Sequence, residues 1–195
     1  MPVVPVLARE AALRQLVERI AQLRLPARVA LDGIDAAGKT TMADELAERL
    51  PHASRVRADD FLRPAEERHR QGRDSPPGFY DDSFDHERLR AAVFAGDGLV
   101  IVDGIFLFRP DLNDLWDLRI FVHAEPEEAL RRGVERDAHG KGSREEAERL
   151  YRTRYAPGQE IYFERVRPRE LADIVVDNTD LSRLRVSLGA AAGRS

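Results

Sequence analysis

The sequence predicts an α/β fold of three layers, a parallel β-sheet with helices on both faces. Three observations predict it. Short apolar runs of strand length alternate with segments whose apolar residues recur at helical spacing. The first such run leads into a glycine-bearing loop and then a helix, Gly33-Ile34-Asp35-Ala36-Ala37-Gly38-Lys39-Thr40-Thr41. The chain has 195 residues, 43% of them hydrophobic, which suffices for one domain (1–195) with a substantial core.

Taken in order, Ala8 to Leu25 carries Ala12, Leu16, Ile20 and Leu23 on one face and reads as an N-terminal helix within residues 1–27, stopped at Pro26. Arg28 to Asp32 is the first strand. Thr41 to Leu50, with Met42, Leu46 and Leu50 on one face, is the helix after the loop. Arg55 to Ala58 is a second strand ending in Asp59-Asp60. Residues 63–80, rich in charge, proline and glycine, read as a loop covering an acceptor. Asp85 to Ala95 is helical, and Gly96-Asp97-Gly98 stops it. The unbroken apolar run Leu99 to Asp103 is a buried third strand; Leu118 to His123 is the fourth. Proline and acids in Glu125-Pro126-Glu127-Glu128 open a helix reaching about Asp137. Residues 138–146 form a lid segment, Arg144 to Arg154 and Gly158 to Arg167 read as helices, and Ile174 to Asp177 is the fifth strand. Residues 189–195 have nothing to bury and are expected to fray.

Composition narrows the function. A net charge of −4 offers no broad field for nucleic acid. The absence of cysteine excludes disulfides and thiol chemistry and suits a cytoplasmic location. No apolar run approaches the roughly 18 residues of a membrane span, and the first residues lack the pattern of a signal peptide. The expected partner is a small molecule, with a homo-oligomer left open. Only two lysines, Lys39 and Lys141, stand against 29 arginines. A lysine here therefore marks a place that wants a compact point charge. Lys39 fits that idea; Lys141, in a glycine-flanked segment, is either a nucleotide contact or a solvated loop residue.

The nonapeptide Gly33 to Thr41 satisfies the phosphate-binding pattern G-x-x-x-x-G-K-[ST]. Its backbone N–H groups and the helix N-terminus behind them suit the α- and β-phosphates of ATP. Lys39 can reach the β- and γ-phosphates, and the Thr40 hydroxyl can ligate Mg²⁺. This is the P-loop NTPase arrangement, whose five-stranded parallel sheet is expected in the order 2-3-1-4-5, with a small helical lid. Ligands bind such sheets beyond the carboxyl ends of the strands. There Asp103, closing the most apolar strand, is placed to hold Mg²⁺ beside Thr40. Asp59, after the second strand, is a candidate base for an attacking hydroxyl, with Asp60 its competitor.

Several further stretches resemble the uridine kinase and phosphoribulokinase group of P-loop kinases: Ala58-Asp-Asp-Phe-Leu-Arg-Pro64, Gly78-Phe-Tyr-Asp-Asp-Ser-Phe-Asp85, Val102-Asp-Gly-Ile-Phe-Leu107, Arg131-Arg-Gly-Val-Glu-Arg-Asp137 and Arg154-Tyr-Ala-Pro-Gly-Gln-Glu-Ile-Tyr162. The resemblance implies that Asp59 is the base, that Phe84 and Asp85 hold the sugar of a nucleoside, and that Arg132 and Arg136 face the transferred phosphoryl group. It puts Asn178 by the adenine and Phe61 and Tyr80 by the acceptor. Phe79 and Tyr80 either stack on a base or anchor the loop. The hairpin that recognises the pyrimidine in uridine–cytidine kinases is missing, since Asp85 and Leu99 are joined by a single helix. The segment from Asp59 to Pro64 also resembles nicotinamide riboside kinases.

The resulting expectation is an ATP- and Mg²⁺-dependent kinase acting on a hydroxyl, foremost the 5′-hydroxyl of a uridine- or cytidine-like nucleoside. Nicotinamide riboside, pantothenate and ribulose phosphate are alternative acceptors. A non-catalytic nucleotide sensor is the alternative outside enzymes. The N-K-x-D motif of GTPases and the L-S-G-G-Q motif of transport ATPases are absent, and the five histidines show no metal-ligand spacing.

Overall fold

The computed structural model describes residues 4–138, 140 and 142–193; Lys141 lies outside the described residues. One sheet organises the chain. Its parallel strands are β2 (Ala27–Gly33), β3 (Ser54–Arg57), β4 (Leu99–Asp103), β5 (Leu118–His123) and β6 (Ile174–Asp180), and they lie in the order β3-β4-β2-β5-β6. In chain order that is the 2-3-1-4-5 arrangement the sequence predicts. The five-stranded, all-parallel sheet does not hold, however. Two further strands extend the β6 edge, β7 (Arg183–Leu188), antiparallel to β6, and then β1 (Val6–Ala8), antiparallel to β7, so the sheet is mixed and has seven strands. The cause is local. Asp180 accepts from the Ser182 backbone N–H and hydroxyl at 2.9 and 2.7 Å, a tight turn that folds the chain back on itself. Leu184 then points into the core while Arg183 and Arg185 stay out.

The strands alternate their side chains between two cores. Val29, Leu31, Ile101, Ile120, Val122, Ile174 and Val176 face one side. There they meet α1 (Arg9–Ala21), through Leu13, Leu16 and Ile20, and α2 (Lys39–Arg49), through Met42 and Leu46. Ala30, Val100, Val102, Phe121 and Val175 face the other side. That layer holds α4 (Pro76–Asp82), α5 (His86–Phe94) and α8 (Ala156–Val166), which follow the short α3 (Ala65–Arg68) and flank α6 (Pro126–Asp137) and α7 (Arg144–Leu150) in the chain. The still shorter α9 (Pro168–Leu171) leads into β6.

Three regions depart from the sequence reading. The stretch 63–80 is not a bare loop: it contains α3 and most of α4, the latter capped by Ser75, whose hydroxyl accepts from the Gly78 N–H at 3.1 Å. The two helices read at 144–154 and 158–167 are one rod, α7 and α8 joined by a π-helical turn, Tyr151–Tyr155. Residues 190–193 make a short 3₁₀ turn. Among the described residues no helix is long and apolar enough to cross a membrane.

Candidate active site

The carboxyl ends of β2, β3 and β4 open into a cleft of about 800 Å³. Its floor is the glycine loop. Gly33, the last residue of β2, has φ +149°, and a Cβ there would sit 2.0 Å from the Val122 carbonyl oxygen. Gly38, at φ +88°, is the residue before α2 and offers no side chain to cap it. The first N–H groups of a helix lack intrahelical acceptors, so those at the start of α2 stay available to an anion. Lys39 is buried, and its Nζ donates to the Ile34 carbonyl at 2.6 Å. Burial lowers its pKa, against the opposing pull of Asp35, Asp32, Asp59 and Asp103. An uncapped helix start with a buried ammonium suits a polyphosphate.

The loop is braced from behind. Asp32 is fully buried and accepts from the Gly33 N–H at 2.7 Å, from the Phe108 N–H at 3.3 Å and from the Tyr162 hydroxyl. Burial raises its carboxyl to about 6, although the Tyr162 hydroxyl, these N–H groups and Lys39 pull the other way. Asn178 is also fully buried. Its Nδ2 donates to the Ala37 carbonyl at 2.6 Å and its Oδ1 accepts from Arg9 at 3.1 Å. Its amide is thus spent on the underside of the loop and does not line the cleft.

Two acids face the loop. Asp103 Oδ2 accepts from the Thr40 hydroxyl at 2.5 Å, while Oδ1 holds Arg55 at 2.9 Å, and Arg55 also pairs with Asp44. Thr40 and Asp103 together are a hard oxygen pair suited to Mg²⁺, whose remaining ligands are ordinarily phosphate oxygens and water. Among the described residues no group of three or more acidic, histidine or cysteine side chains forms a metal cage. Asp59, in the 3₁₀ turn Ala58–Phe61, lines the cleft and Asp60 does not. Partial desolvation raises the Asp59 pKa, helped by Asp35 and Asp103 and opposed by Lys39.

The lid side is tied down by ion pairs. Arg136 on α6 grips both oxygens of Asp35, each at 3.1 Å, and Asp137. The Tyr151 hydroxyl, turned inward by the π-helical turn, donates to Asp35 at 2.7 Å, and Gln159 accepts from the Asp35 N–H at 2.7 Å. Burial would raise the Asp35 carboxyl, but Arg136, Lys39 and Tyr151 together hold it down to about 2. Arg132 lines the cleft while bonded to Glu128 and to the carbonyls of Asn178 and Thr179.

The structure therefore gathers Asp35, Ala36, Gly38, Lys39, Thr40, Thr41, Asp59, Phe84, Asp103, Arg132 and Arg136 around one cleft. Gly33, Ile34, Ala37 and Asn178 shape the loop from beneath or beside it. Phe61, Tyr80 and Asp85 are not on the cleft surface. Asp85 caps α5 by accepting from the Arg88 N–H at 3.0 Å, and Tyr80 is buried against Phe106, Tyr162 and Arg109. Phe79 lines the cleft while packing edge-on to Phe106. Sequence reasoning missed Arg55, Tyr151 and Gln159, and it missed four arginines of the cleft lining, Arg57, Arg68, Arg73 and Arg154. Arg154 lies in a stretch that the resemblance marks, Arg154 to Tyr162, but in a chain with 29 arginines nothing singled out the other three. A smaller hollow of about 310 Å³ lies on the β7 edge, lined by Val6, Asp177, Thr179, Asp180, Arg183 and Arg185. It contains no part of the glycine loop.

Neither a family model nor a curated protein sequence matches the chain. Solved structures do. A possible uridine kinase from Bacillus stearothermophilus superposes with a TM-score of 0.67 at 16% identity, covering 85% of this chain and 97% of that one. A candidate fructose transport system kinase from Silicibacter sp. TM1040 gives 0.63 at 21% identity, covering 80% and 94%. The YGR205w protein gives 0.62 at 12% identity, covering 92% and 98%. The chain has their fold. At these identities the likeness speaks for architecture, and the chemistry rests on the cleft.

Proposed function

We propose that the chain is an ATP-dependent kinase of the uridine kinase and phosphoribulokinase type, transferring the γ-phosphate to a hydroxyl of a small sugar- or nucleoside-like acceptor. One observation carries this reading: Lys39 and Asp59, a cation of the glycine loop and a carboxylate of raised pKa, share a single cleft. A nucleotide-binding module needs the first and has no use for the second.

In this reading the loop N–H groups and Lys39 orient the triphosphate. Thr40 and Asp103 would hold Mg²⁺, which supplies charge neutralisation at the β- and γ-phosphates. Asp59 orients the acceptor hydroxyl and takes its proton as the new oxygen–phosphorus bond forms. The bond from the γ-phosphorus to the bridging oxygen breaks, and ADP leaves with that electron pair. Arg136 exchanges Asp35 for the incoming anion, and closure of α6 over the loop excludes water.

Acceptor-dependent ADP release across nucleosides, ribosides, sugar phosphates and pantothenate tests the proposal. Lys39→Ala is expected to abolish it while the circular dichroism spectrum stays folded. Undiminished turnover in that variant contradicts the kinase reading.

A further inference from the structure

The peptide unit between Ile34 and Asp35 is held from both of its ends. Its carbonyl accepts from Lys39 Nζ at 2.6 Å and from the Ala37 N–H at 3.3 Å. Its N–H donates to Gln159 Oε1 at 2.7 Å. Lys39 follows the glycine loop in the chain, so the bond to Ile34 folds its ammonium back over the loop. Gln159 comes from α8, 124 positions along the chain from Asp35. It is 5% exposed, and its Nε2 donates to the Tyr155 carbonyl at 3.0 Å. That second bond fixes which way the amide faces. Turned over, the amide would set its NH₂ against the Asp35 N–H and its oxygen against the Tyr155 carbonyl.

A trans peptide is planar, so its N–H and C=O point in opposite directions and turn together. An acceptor on the α8 side therefore aims the Ile34 carbonyl at Lys39. With the peptide turned over, its N–H would face the ammonium and its carbonyl would face Gln159 Oε1, and both contacts are repulsive. Other bonds fix the residues on either side. Asp32 holds the Gly33 N–H at 2.7 Å, and Arg136 and Tyr151 hold the Asp35 side chain. Gln159 bonds the peptide itself. Glutamine suits the place because it offers an acceptor to the loop and a donor to its own helix. Leucine would offer neither, and an ionised glutamate no donor.

We propose that Gln159 is a positioning residue for Lys39: by orienting the Ile34–Asp35 peptide from α8, it holds the ammonium over the glycine loop before a nucleotide arrives. The catalytic consequence rests on the kinase reading above. A Lys39 already in place spends no reorganisation on meeting the phosphates as charge develops on them. Loss of the acceptor leaves the Asp35 N–H unsatisfied and frees the peptide to turn. Tyr162, one turn further along the same face of α8, acts on Asp32 instead.

The test reads Lys39 directly. The chain has only two lysines, so lysine-selective isotope labelling gives two sets of side-chain NMR signals, and Lys141→Arg identifies that of Lys39. In the unmodified protein the Lys39 ε-methylene protons should be inequivalent and well removed from their position in the urea-unfolded chain. Gln159→Met keeps the side-chain length and removes both bonds. It should bring the ε signals together and towards the unfolded position, with the circular dichroism spectrum unchanged. Gln159→Asn, a methylene too short to reach the loop, is read in the same way if the methionine variant does not fold. In turnover either variant should lower kcat by ~10-fold or more, the worth of one hydrogen bond of ordinary strength. A packing role alone would lower Tm and leave the Lys39 signals and kcat in place. Lys39 signals unmoved in a folded variant, or moved signals with undiminished kcat, would overturn the proposal. An unmodified protein that releases no ADP with any acceptor would instead remove the kinase reading, and the NMR signals would still decide whether Gln159 places Lys39.

Discussion

Replacing Asn178 by alanine separates two roles for a residue that sequence similarity puts near the adenine. The side chain is fully buried and makes two bonds, to the Ala37 carbonyl at 2.6 Å and from Arg9 at 3.1 Å. Gly38 passes so close that a Cβ on it would lie 2.5 Å from Asn178 Nδ2. Truncation leaves a buried carbonyl and a guanidinium N–H without their partner, a loss of roughly 2–4 kcal/mol. Arg9 keeps Glu45 at 2.6 Å, which favours the lower half of that range. For a chain of this length each kcal/mol moves Tm by ~2–4 °C, so a fall of roughly 4–12 °C is expected. The loosened loop should also bind phosphates less well regardless of the base. Calorimetric Kd values for ATP, GTP and inorganic tripolyphosphate should therefore rise by similar factors. If ATP alone weakens, with Tm held within about one degree, the side chain reads adenine and the bracing argument is wrong.

Other consequences are as concrete. Because Asp59 must be ionised to accept a proton and its pKa is raised, kcat/KM should fall as pH drops through a limb lying above the ordinary 3.8; a limb at or below that value contradicts the assignment. The Asp35 carboxyl is depressed from 3.8 to about 2, so its contribution is present above pH 3.8 and is lost as pH falls towards 2. Asp35→Asn should cost on the order of 2 kcal/mol at pH 7, and the gap to the unmodified protein should close on acidification in thermal melts. A pH-independent gap would mean that packing, not the Arg136 pair, sets the loss.

Most of the fold's logic was legible because it rests on local patterns. Val29 and Leu31 against Ala30, or Ile120 and Val122 against Phe121, alternate as a sheet covered on both faces requires, and Gly33 and Gly38 mark the loop wherever they occur with Lys39 and Thr40. What escaped notice depends on partners distant in the chain. β1 has only three residues and exists because β7 offers it an edge. The period-two signal of Leu184 and Val186 is present but short and broken by arginines. Pro76 and Pro77 suggested a loop, yet proline in a first helical turn is compatible with the helix that Ser75 caps. The π-helical turn leaves no mark in the residues Tyr151 to Tyr155, although it carries Arg154 onto the cleft surface and Tyr151 against Asp35. Of the expected site, residues in the glycine motif and at strand ends came together. Of those placed by resemblance, Phe84, Arg132 and Arg136 line the cleft, whereas Tyr80 is buried among aromatic rings and Asp85 caps α5.

The central claim is that a carboxylate beside the glycine loop takes the acceptor's proton. The most direct measurement is kcat of Asp59→Asn against the unmodified protein, with nucleotide Kd recorded in parallel. A fall of roughly 10²–10⁴ in kcat with nucleotide affinity retained is the predicted result. An unchanged kcat would contradict it and leave this cleft without its base.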